Sequence, residues 1–556
     1  MSTSPLSASP LSASPPTAQP LSAAEITSVY HDRTKHSLKR YAAGPETLDW
    51  DAQPNPFREF VYSPRIALPL SSDRLTTTFA QIHQRTATPQ PLMADTIALL
   101  LELSFGLAAW KESGPDRWAL RCNPSSGNLH PTEAYVLSEN VPDLSDGLYH
   151  YVSRDHVLEQ RCRRAEPTEA APRLWLGLSS IHWREAWKYG ERAFRYCQLD
   201  IGHALGAVSY AAAALGWRAR LVEGIDGQTL AAMMGLDREA DFAGVEAEDA
   251  DVLLAIETID TGAQTSGELP RAYELADIWT GQANRLDRHP LYRWPVISDV
   301  SAATTGDGRD APFVPQLYPP RGNGPDARAA ELILNRRSAQ RFDAKFTIGM
   351  DQFYQLLDAL QPRPIPPWDI WRFAPRLHPV LFVHRVEGLA PGAYIPPRSS
   401  TAEVFLRQEL RSEFDWQRVD GAPAHLPLYQ LLPTDSRGVI RTASCHQAIA
   451  GDSCFAVAMI AEFGELVAAN PWRYRQLHWE AGLIGQVLYL ESEAAGLRGT
   501  GIGCYFDDSV HEMLGVTTRG LQTLYHFTVG RPLTDSRIST LPAYPGRTRN
   551  EAGALS

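Results

Sequence analysis

The sequence lacks the patterns that mark several common classes of protein. It has no run of 18 uncharged apolar residues, which argues against a membrane span, and no long Lys/Arg run. With 52 basic and 64 acidic residues the formal net charge is −12, so we expect no nucleic-acid partner. The first residues show neither the basic segment nor the apolar core of a signal peptide. We therefore expect a cytoplasmic protein with no membrane partner.

Cysteine is scarce, with six among 556 residues, and no C-x-x-C pair is present. Cys445-His446 with Cys454 is a candidate trio of metal ligands, but the Cys-rich zinc spacings are missing. Buried free thiols are the favoured interpretation, so we expect no metal. Free thiols agree with a reducing compartment.

Composition divides the chain into four parts. Residues 1–24 form a Ser/Pro/Ala tract that we predict to be disordered, because it has too little apolar surface to offset its ordering entropy. Residues 25–262 and 326–546 are two predicted folded halves. Residues 263–325 contain a Pro/Gly-rich stretch and are predicted to be a connector on the surface.

Internal matches suggest that the two halves are copies of one fold. The heptad Lys35–Tyr41 shares its pattern of basic, Ser, Arg and aromatic positions with Arg336–Phe342. The segment Arg195–Leu199 similarly matches Arg473–Leu477. Three glycines of the first half recur in the second with identical spacings: Gly202, Gly216 and Gly235 against Gly482, Gly496 and Gly515. Because glycine weakens a helix, we expect the backbones of two long helices to approach closely at Gly202 and Gly482.

Hydrophobic periodicity predicts the main elements. The predicted helices are 96–110, 199–217, 352–360, 453–470 and 479–495. The predicted strands are 133–137, 252–259, 380–383 and 524–529.

Three segments carry polar or glycine-rich chemistry. The loop Asn123–Pro131 offers hydroxyls, amides and a glycine, although these residues also form ordinary turns. Gly499-Thr500-Gly501-Ile502-Gly503 would let backbone N–H groups approach a ligand, or it is a simple turn. Arg336 with Ser338 suits a phosphate ester, or it is a solvated helix end.

Taken together, these segments resemble those of the FMN-dependent nitroreductase superfamily, and more closely its azoline-dehydrogenase (SagB-type) branch. The resemblance covers about 25–262 and 326–546 and implies an α+β fold. Each half would be a mainly antiparallel sheet with flanking helices, and the tandem domains would form an intramolecular pseudo-dimer. The residues that the resemblance assigns to FMN are Arg336, Ser338, Gln340, Pro124, Ser125, Ser126, Asn128, Gly499, Gly501, Gly503, Arg537 and, as a second candidate for the last role, Arg531. Gln340 departs from the family, which usually has Arg or Lys there.

The resemblance also predicts one FMN per chain. The second half would supply Arg336, Ser338, Gly501 and Arg537, and the first half the loop Pro124–Asn128. A mirror site would use Lys35, Ser37 and Lys39 with the segment Ala374–Pro379. That segment lacks Ser-Ser-Gly-Asn, so we expect the mirror site to be vestigial.

Lys188 and Tyr189 match a Lys-Tyr pair that the branch uses in catalysis. A neutral lysine could take a carbon-bound proton from the substrate while flavin N5 accepts a hydride, and the tyrosine could orient it. The alternative is a solvated lysine beside a core tyrosine. We interpret His203 as an interior hydrogen-bonded histidine and assign no proton transfer to His130.

The resemblance implies an FMN-dependent dehydrogenase or oxidase of a thiazoline- or oxazoline-like heterocycle. The substrate would be a small molecule or a peptide, and a peptide-modifying enzyme would be the partner. An NAD(P)H-dependent nitro or quinone reductase and a non-catalytic flavin-binding scaffold remain alternatives. The sequence leaves further oligomerisation open.

Overall fold

The computed structural model describes residues 20–164, 171–260, 269–270, 276–311, 313–322 and 324–547. Most of the predicted disordered tail, up to residue 19, lies outside this range. The first helix begins at Ala23, inside the predicted tail, because the Ser22 hydroxyl and the Glu25 carboxylate form a capping box.

In these ranges the chain forms fifteen α-helices. They are α1 Ala23–Arg33, α2 Phe79–Gln84, α3 Ala94–Ser104, α4 His182–Tyr189, α5 Ala193–Ala214, α6 Gly227–Met233, α7 Pro295–Ala303, α8 Ala329–Asn335, α9 Met350–Asp358, α10 Ser400–Glu409, α11 Arg437–Ala443, α12 Ala448–Asp452, α13 Gly464–Ala469, α14 Arg473–Ala494 and α15 Asp507–Leu514. Within the described part of the chain, none is both long and apolar enough to cross a membrane.

The same ranges contain twenty β-strands. They are β1 Phe60–Val61, β2 Arg65–Ala67, β3 Leu107–Ser113, β4 Asp116–Arg121, β5 Thr132–Glu139, β6 Gly147–Val152, β7 Val157–Arg164, β8 Arg173–Ser180, β9 Arg218–Leu221, β10 Asp249–Glu257, β11 Ala276–Trp279, β12 Gln282–Ala283, β13 Leu377–Val383, β14 Gly392–Ile395, β15 Gln417–Arg418, β16 Tyr429–Leu432, β17 Phe455–Glu462, β18 Arg498–Ile502, β19 Leu521–Gly530 and β20 Ser539–Leu541.

The two large sheets have the same central strand order. The first contains β6-β5-β8-β10-β9 and the second β14-β13-β17-β19-β18, and all of these neighbours are antiparallel. Along the chain, the long helix α5 lies between β8 and the edge strand β9, and the long helix α14 lies between β17 and the edge strand β18. The fold is a mixed helix and sheet fold in which the second half repeats the order of the first.

The long helices α5 and α14 pack against each other at the predicted glycines. A Cβ on Gly202 would overlap the Trp479 carbonyl oxygen and lie 2.8 Å from the Cα of Gly482. A Cβ on Gly482 would overlap the Leu199 carbonyl oxygen. The predicted close approach is therefore confirmed, and side chains from both halves share one buried cluster around these helices.

The helix bounds correct the register of the repeat. Both long helices have 22 residues and begin at Ala193 and Arg473, an offset that pairs Gly202 with Gly482. This offset pairs Arg195 with Arg475, so the match of Arg195–Leu199 with Arg473–Leu477 was wrong by two residues. The side chains agree with the corrected register: Arg195 binds Asp507 and Thr34, and Arg475 binds Asp251 and Thr304.

The two heptads do not occupy equivalent places. Helices α2 and α8 are the equivalent pair, because the Phe79 N–H donates to the Ala327 carbonyl and the Ala329 N–H donates to the Thr77 carbonyl, each at 2.9 Å. Arg336–Phe342 follows α8, so its counterpart follows α2 at Arg85. Lys35–Tyr41 instead follows α1, where Lys35 binds Asp508 at 2.8 Å. The heptad match is therefore not part of the repeat.

Most predicted elements are present, with two corrections. Residues 453–470 were predicted as one helix but form β17 and then α13. Strand β17 is central between β13 and β19 and almost wholly buried, so its apolar run shows no alternation that would distinguish it from a helix. The predicted helix 96–110 ends at Ser104, and Leu107–Ser113 forms β3.

The predicted connector takes part in the fold of the first half. In its described part, β11 pairs with β7 and β12 pairs with β1. Beyond β19 the chain also returns to the first half, where β20 pairs with β3. The Tyr544 hydroxyl there accepts a hydrogen bond from the Leu107 N–H at 2.8 Å. This C-terminal arm, residues 531–547, closes one side of the site described next.

Candidate functional site

A cavity of about 450 Å³ lies between the two halves, bordered by α5, α14, β18 and the C-terminal arm. Twelve residues assigned or discussed individually from the sequence line it: Pro124, Ser125, Ser126, Asn128, His130, Tyr189, His203, Arg336, Ser338, Gln340, Gly501 and Gly503. The cavity thus brings together segments that are more than 200 residues apart.

The Ser125–Asn128 loop is held rigidly at the cavity wall. The backbone N–H and the hydroxyl of Ser126 both donate to Asp200 Oδ1 at 3.0 Å. The Asn128 side-chain amide donates to the Ala119 carbonyl at 2.9 Å. Gly127 has a φ of 59°, and a Cβ there would lie 2.5 Å from the Tyr189 hydroxyl oxygen. Glycine is therefore required both by the backbone and by the approach of Tyr189.

Two buried carboxyl groups lie behind this loop. Burial raises the pKa of Asp200 to about 7, although Ser125 and Ser126 oppose the shift by hydrogen bonding. Burial, and then the charge of Asp200, raise the pKa of Glu185 well above its usual range. Neither carboxylate oxygen of Glu185 lies within hydrogen-bonding distance and angle of a polar group among the described residues. The region behind the loop therefore favours neutral carboxylic acids.

Arg336 and Ser338 reach the cavity from the segment after α8. Arg336 is buried; its Nε and Nη2 donate to the carbonyls of Cys122 and Arg121, both at 3.1 Å. Its Nη1 makes no hydrogen bond within the described structure. Ser338 Oγ lies 2.8 Å from the Tyr489 hydroxyl, which accepts a hydrogen bond from the Gly501 N–H at 3.0 Å. Arg336 thus joins the halves and keeps one nitrogen free for a ligand.

Three further basic side chains line the same end of the cavity and were missed from the sequence. They are Lys111 on β3, Arg337 after α8 and Arg498 at the start of β18. Burial, and then the nearby charges of Arg337 and Arg498, lower the pKa of Lys111. Burial, then Arg336, lower the pKa of Arg337 to about 10. The closest carboxylate to this group is that of Glu493, 3.5 Å from Arg498 Nε. Four cations meet here with little compensation, which is the environment that an anion such as a phosphate stabilises.

Arg498 had a signal in the sequence, since it stands directly before the glycine-rich segment, and Arg337 adjoins Arg336. Lys111 had none. It is brought to the site by the pairing of β3 with β20, where its Nζ donates to Thr540 Oγ1 at 2.6 Å.

The glycine-rich segment is the edge strand β18, and its glycines make room for aromatic rings. A Cβ on Gly501 would overlap the Tyr525 hydroxyl oxygen, and one on Gly503 would overlap the Tyr196 ring. Gly499 does not line the cavity, and a Cβ there would lie 2.5 Å from the Phe527 ring. Because Tyr489 accepts the Gly501 N–H, that donor is engaged within the protein. The spacing of the glycines is explained by tight packing against Tyr196, Tyr525 and Phe527.

Lys188 and Tyr189 lie in the last turn of α4 and differ in their exposure to the cavity. Tyr189 lines the cavity, and burial raises the pKa of its hydroxyl well above its usual range, so this group is a neutral hydrogen-bond donor. Lys188 does not line it; its Nζ lies 5.5 Å from the centre of the Trp50 ring and 5.4 Å from that of Tyr189. Burial lowers the pKa of Lys188, and Glu185 opposes that shift. The Tyr189 hydroxyl is therefore available to a ligand in the cavity, whereas the Lys188 amine lies next to the Tyr189 ring and outside the cavity lining.

Several other predicted residues lie elsewhere. Arg531, directly after β19, forms an ion pair with Asp343, and Arg537 pairs with Asp535 at 2.6 Å; neither lines the cavity, and both side chains are exposed to solvent. Ser37 Oγ donates to the Arg40 carbonyl at 3.3 Å within its own turn. His203 is buried as predicted and its Nε2 lies 3.0 Å from the Tyr525 hydroxyl, but it also lines the cavity.

The cysteines form no metal site in the described part of the chain, where no group of three His, Cys, Asp or Glu side chains is placed to hold an ion. Cys454 is buried near the Phe346 carbonyl, at 3.6 Å, and Cys445 instead contacts Cys504.

Comparison with known proteins agrees with this fold. Residues 84–245 match the model of the Nitroreductase family. A protein of Methanocaldococcus jannaschii named as a nitroreductase, MJ1384, is 24% identical over 137 residues. That match covers 23% of this chain and 66% of the relative, so the chain spans slightly less than two thirds of the relative's length. The stretch that matches the Nitroreductase family model includes the Ser125–Asn128 loop and all of α5.

Solved structures extend the likeness in fold. A protein of Anabaena variabilis named as a nitroreductase matches with a TM-score of 0.66 and 22% identity, and the match covers 91% of this chain and 99% of that one. A chain of the Escherichia coli microcin synthetase McbBCD complex, solved with truncated pro-MccB17, matches with a TM-score of 0.24 and 19% identity, over 44% of this chain and 83% of that one. The first match shows the fold of nearly the whole chain; the second is too distant to support an argument.

Proposed function

We propose that the protein is an FMN-dependent oxidoreductase that binds one FMN per chain in the cavity between its halves. The observation that supports this most directly is the group of Lys111, Arg336, Arg337 and Arg498 at one end of a cavity whose other walls are hydroxyls, amides and aromatic rings. A phosphate monoester at that end would relieve the mutual repulsion of the four cations.

The residues present fit FMN. The cavity volume of about 450 Å³ lies within the usual range for small-molecule sites. Arg337, Arg498, Lys111 and the free Nη1 of Arg336 would hold the phosphate. The buried side-chain atoms Asn123 Oδ1 and His130 Nδ1 make no hydrogen bond to the described residues, and His130 Nε2 faces the Ala119 carbonyl, so both atoms could accept hydrogen bonds from a ligand. Tyr189, Tyr196 and Tyr525 offer aromatic surface for a flat ring.

The preferred reaction is two-electron dehydrogenation of a thiazoline- or oxazoline-like heterocycle, as in the SagB-type branch. The chemistry that FMN supplies when bound is acceptance of a hydride at N5. Tyr189, a neutral donor at the wall, would bind a ring heteroatom of the substrate. Lys188, with its lowered pKa, would accept the proton released from the substrate after its side chain turns toward the cavity. The substrate is a small molecule or a peptide; for a peptide, the enzyme that closes the heterocycle is the expected partner.

The second candidate is an NAD(P)H-dependent nitro or quinone reductase. It is favoured by the position of Lys188, which does not line the cavity, because a reductase of this kind needs no base at that position. The two candidates share the cofactor site and differ in the molecule that reduces the flavin: the heterocyclic substrate in the dehydrogenase, and NAD(P)H in the reductase.

The deciding experiment begins with the visible spectrum of the purified protein and a count of released FMN, expected at one per chain. The flavin is then reduced anaerobically, either with a thiazoline- or oxazoline-containing peptide or with NAD(P)H. Bleaching by the heterocycle, lost in Lys188→Ala but kept in the exposed control Lys39→Ala, supports the dehydrogenase. Bleaching by NAD(P)H that is equal in all three proteins supports the reductase. A preparation that stays colourless after incubation with FMN would exclude both.

A further inference from the structure

Cys504 and Cys445 form a thiol pair at the edge of the cavity. Their Sγ atoms are 2.7 Å apart, although the residues are 59 positions apart in sequence. Cys504 comes shortly after β18 and lines the cavity, whereas Cys445 comes shortly after α11 with a φ of 52°. Both side chains are partly exposed. Two sulfurs at this distance need only a small movement to form a covalent bond.

The surroundings make Cys504 the more reactive of the two. A hydrogen bond joins the two thiols and lowers the pKa of Cys504; burial opposes this shift, and His36 and the positive charge of Arg192 lower the pKa further. His36 Nδ1 accepts the Ala42 N–H at 2.8 Å, which leaves the proton on Nε2. The same hydrogen bond raises the pKa of Cys445. Cys504 lines the cavity and Cys445 does not, so Cys504 is the sulfur that an incoming molecule reaches, and its lowered pKa favours the thiolate, the form that attacks.

The other four cysteines provide the contrast. Cys122, Cys162, Cys197 and Cys454 are buried. Burial raises the pKa of Cys162 and of Cys454 to about 11. All four thiols are buried, and the raised pKa values of Cys162 and Cys454 disfavour their thiolates, so the accessible thiols are those of the pair at the cavity.

We propose that Cys504 and Cys445 are a redox-active dithiol that reduces low-molecular-weight disulfides entering the cavity. The Cys504 thiolate attacks one sulfur of the disulfide, whose S–S bond breaks, and the other sulfur leaves and takes up a proton. Cys445 then loses its proton and attacks Cys504 Sγ, which breaks the mixed disulfide and releases the second thiol. The incoming disulfide gains two electrons and two protons, which the two cysteines lose.

The test uses the whole reduced protein, freed of reductant and incubated with oxidised glutathione, with intact mass and peptide mapping as the readout. The wild type is expected to lose two hydrogens and to yield a peptide that links residues 445 and 504. Cys445→Ser should retain one glutathione on Cys504, because nothing resolves the mixed disulfide. Cys504→Ser should remain unmodified, and Cys454→Ser should behave as the wild type.

A measurement on the wild type covers the case in which a variant does not fold. With limiting iodoacetamide at neutral pH, Cys504 should be alkylated at least about tenfold faster than any other cysteine. No cross-link in the wild type, or alkylation that does not favour Cys504, would overturn the inference. These readouts do not depend on a bound flavin, so the dithiol and the proposed cofactor site can fail independently.

Discussion

On each side of the paired long helices, one arginine begins the edge strand and another follows α2 or α8, but the two pairs of arginines differ in their ion pairing. On the cavity side, Arg498 begins β18 and Arg337 follows α8; both face the cavity beside Lys111. On the mirror side, which we define by Arg85, Arg218 and Asp369, Arg218 begins β9 and Arg85 follows α2. There the carboxylate of Asp369 pairs with Arg85, lies 3.8 Å from Arg218 and accepts a hydrogen bond from Ser209 at 3.1 Å.

This difference gives a physical reason for the proposed arrangement, in which FMN binds on the cavity side and not on the mirror side. On the mirror side the Asp369 carboxylate lies within 4 Å of both arginines, whereas on the cavity side only Arg498 has a carboxylate within 4 Å among the described residues, that of Glu493. The edge strands also leave less room on the mirror side, because Leu221 of β9 occupies the position that Gly501 has in β18. The comparison supports a single FMN per chain, and it replaces the heptad at Lys35 as the explanation for a vestigial mirror site.

The largest expected effect comes from removing one arginine on each side. Arg337→Ala should weaken FMN binding roughly 10- to 100-fold, since a hydrogen bond to a charged group contributes about 1.5–3 kcal/mol. Arg85→Ala, the matched control, should change the Kd of FMN less than about twofold, because its partner is Asp369. Titration followed by flavin fluorescence measures both. An equal loss of FMN affinity in Arg337→Ala and Arg85→Ala would show that FMN does not bind preferentially on the cavity side.

The second prediction concerns two carboxyl groups at corresponding positions of the long helices, Asp200 on α5 and Glu480 on α14. Asp200 accepts a hydrogen bond from the Ser126 N–H at 3.0 Å, and Glu480 accepts one from the Arg376 N–H at 2.9 Å. The folded pKa of Asp200, about 7, lies above its ordinary 3.8. The folded state therefore holds a proton that the unfolded state releases, and this contribution to stability is lost as the pH rises from about 4 through 7. Asp200→Asn has a neutral side chain at every pH and does not lose this contribution. The free energy of unfolding of the variant minus that of the wild type should therefore be on the order of 2 kcal/mol larger at pH 8 than at pH 5.

Chemical denaturation at the two pH values tests this. Glu480→Gln is the control: it leaves the buried Arg398 without its carboxylate and should destabilise the protein at both pH values. Because Asp200 is intact in that variant, its stability should still fall between pH 5 and pH 8 through this group. An Asp200→Asn effect that is the same at both pH values would mean that Asp200 is ionised throughout.

The third prediction concerns the packing of the edge strand. Gly501→Ala places a methyl group on the Tyr525 hydroxyl, and overpacking of this kind typically costs about 1–3 kcal/mol. Tyr525→Phe removes the oxygen that the methyl group overlaps, so the double variant should recover part of the stability. Thermal unfolding of the two single variants and the double variant measures the coupling. Additive losses would show that the space at Gly501 is not set by Tyr525.

The sequence predicted local segments better than their partnerships. The Ser125–Asn128 loop, Arg336 and Ser338 were found because their residue types are contiguous, and they do line one cavity. Lys111 was missed because the strand pairing of β3 with the C-terminal arm brings it there. Arg531 and Arg537 were selected for their place near the end of the chain, but nearby aspartates bind them on the surface.

The fold shows the same division between local and long-range information. The long helices and most strands follow from periodicity, whereas the fully buried β17 looked like a helix because both of its faces are apolar. The close approach of the long helices was correctly predicted from Gly202 and Gly482, where the backbones touch. The heptads were wrongly matched, because they follow helices that are not equivalent, α1 and α8, and contact different partners: Lys35 binds Asp508, whereas Arg336 donates to the Cys122 carbonyl.

The smallest expected effect tests the mirror side directly. Asp369→Asn removes the carboxylate from Arg85 and Arg218 and should lower the free energy of unfolding by about 1 kcal/mol, since Arg85 is partly exposed. Inorganic phosphate should then stabilise this variant more than the wild type, because the arginines can bind it in place of Asp369. Thermal unfolding in phosphate and in a zwitterionic buffer of matched ionic strength measures the difference.

FMN stoichiometry should nevertheless remain one per chain in Asp369→Asn. Leu221 still fills the position of Gly501, and the segment Ala374–Pro379 still lacks the Ser-Ser-Gly-Asn loop. A second equivalent of FMN in this variant would mean that Asp369 alone keeps the mirror side closed. An unchanged response to phosphate would mean that the two arginines are held by the fold and not by the charge of Asp369.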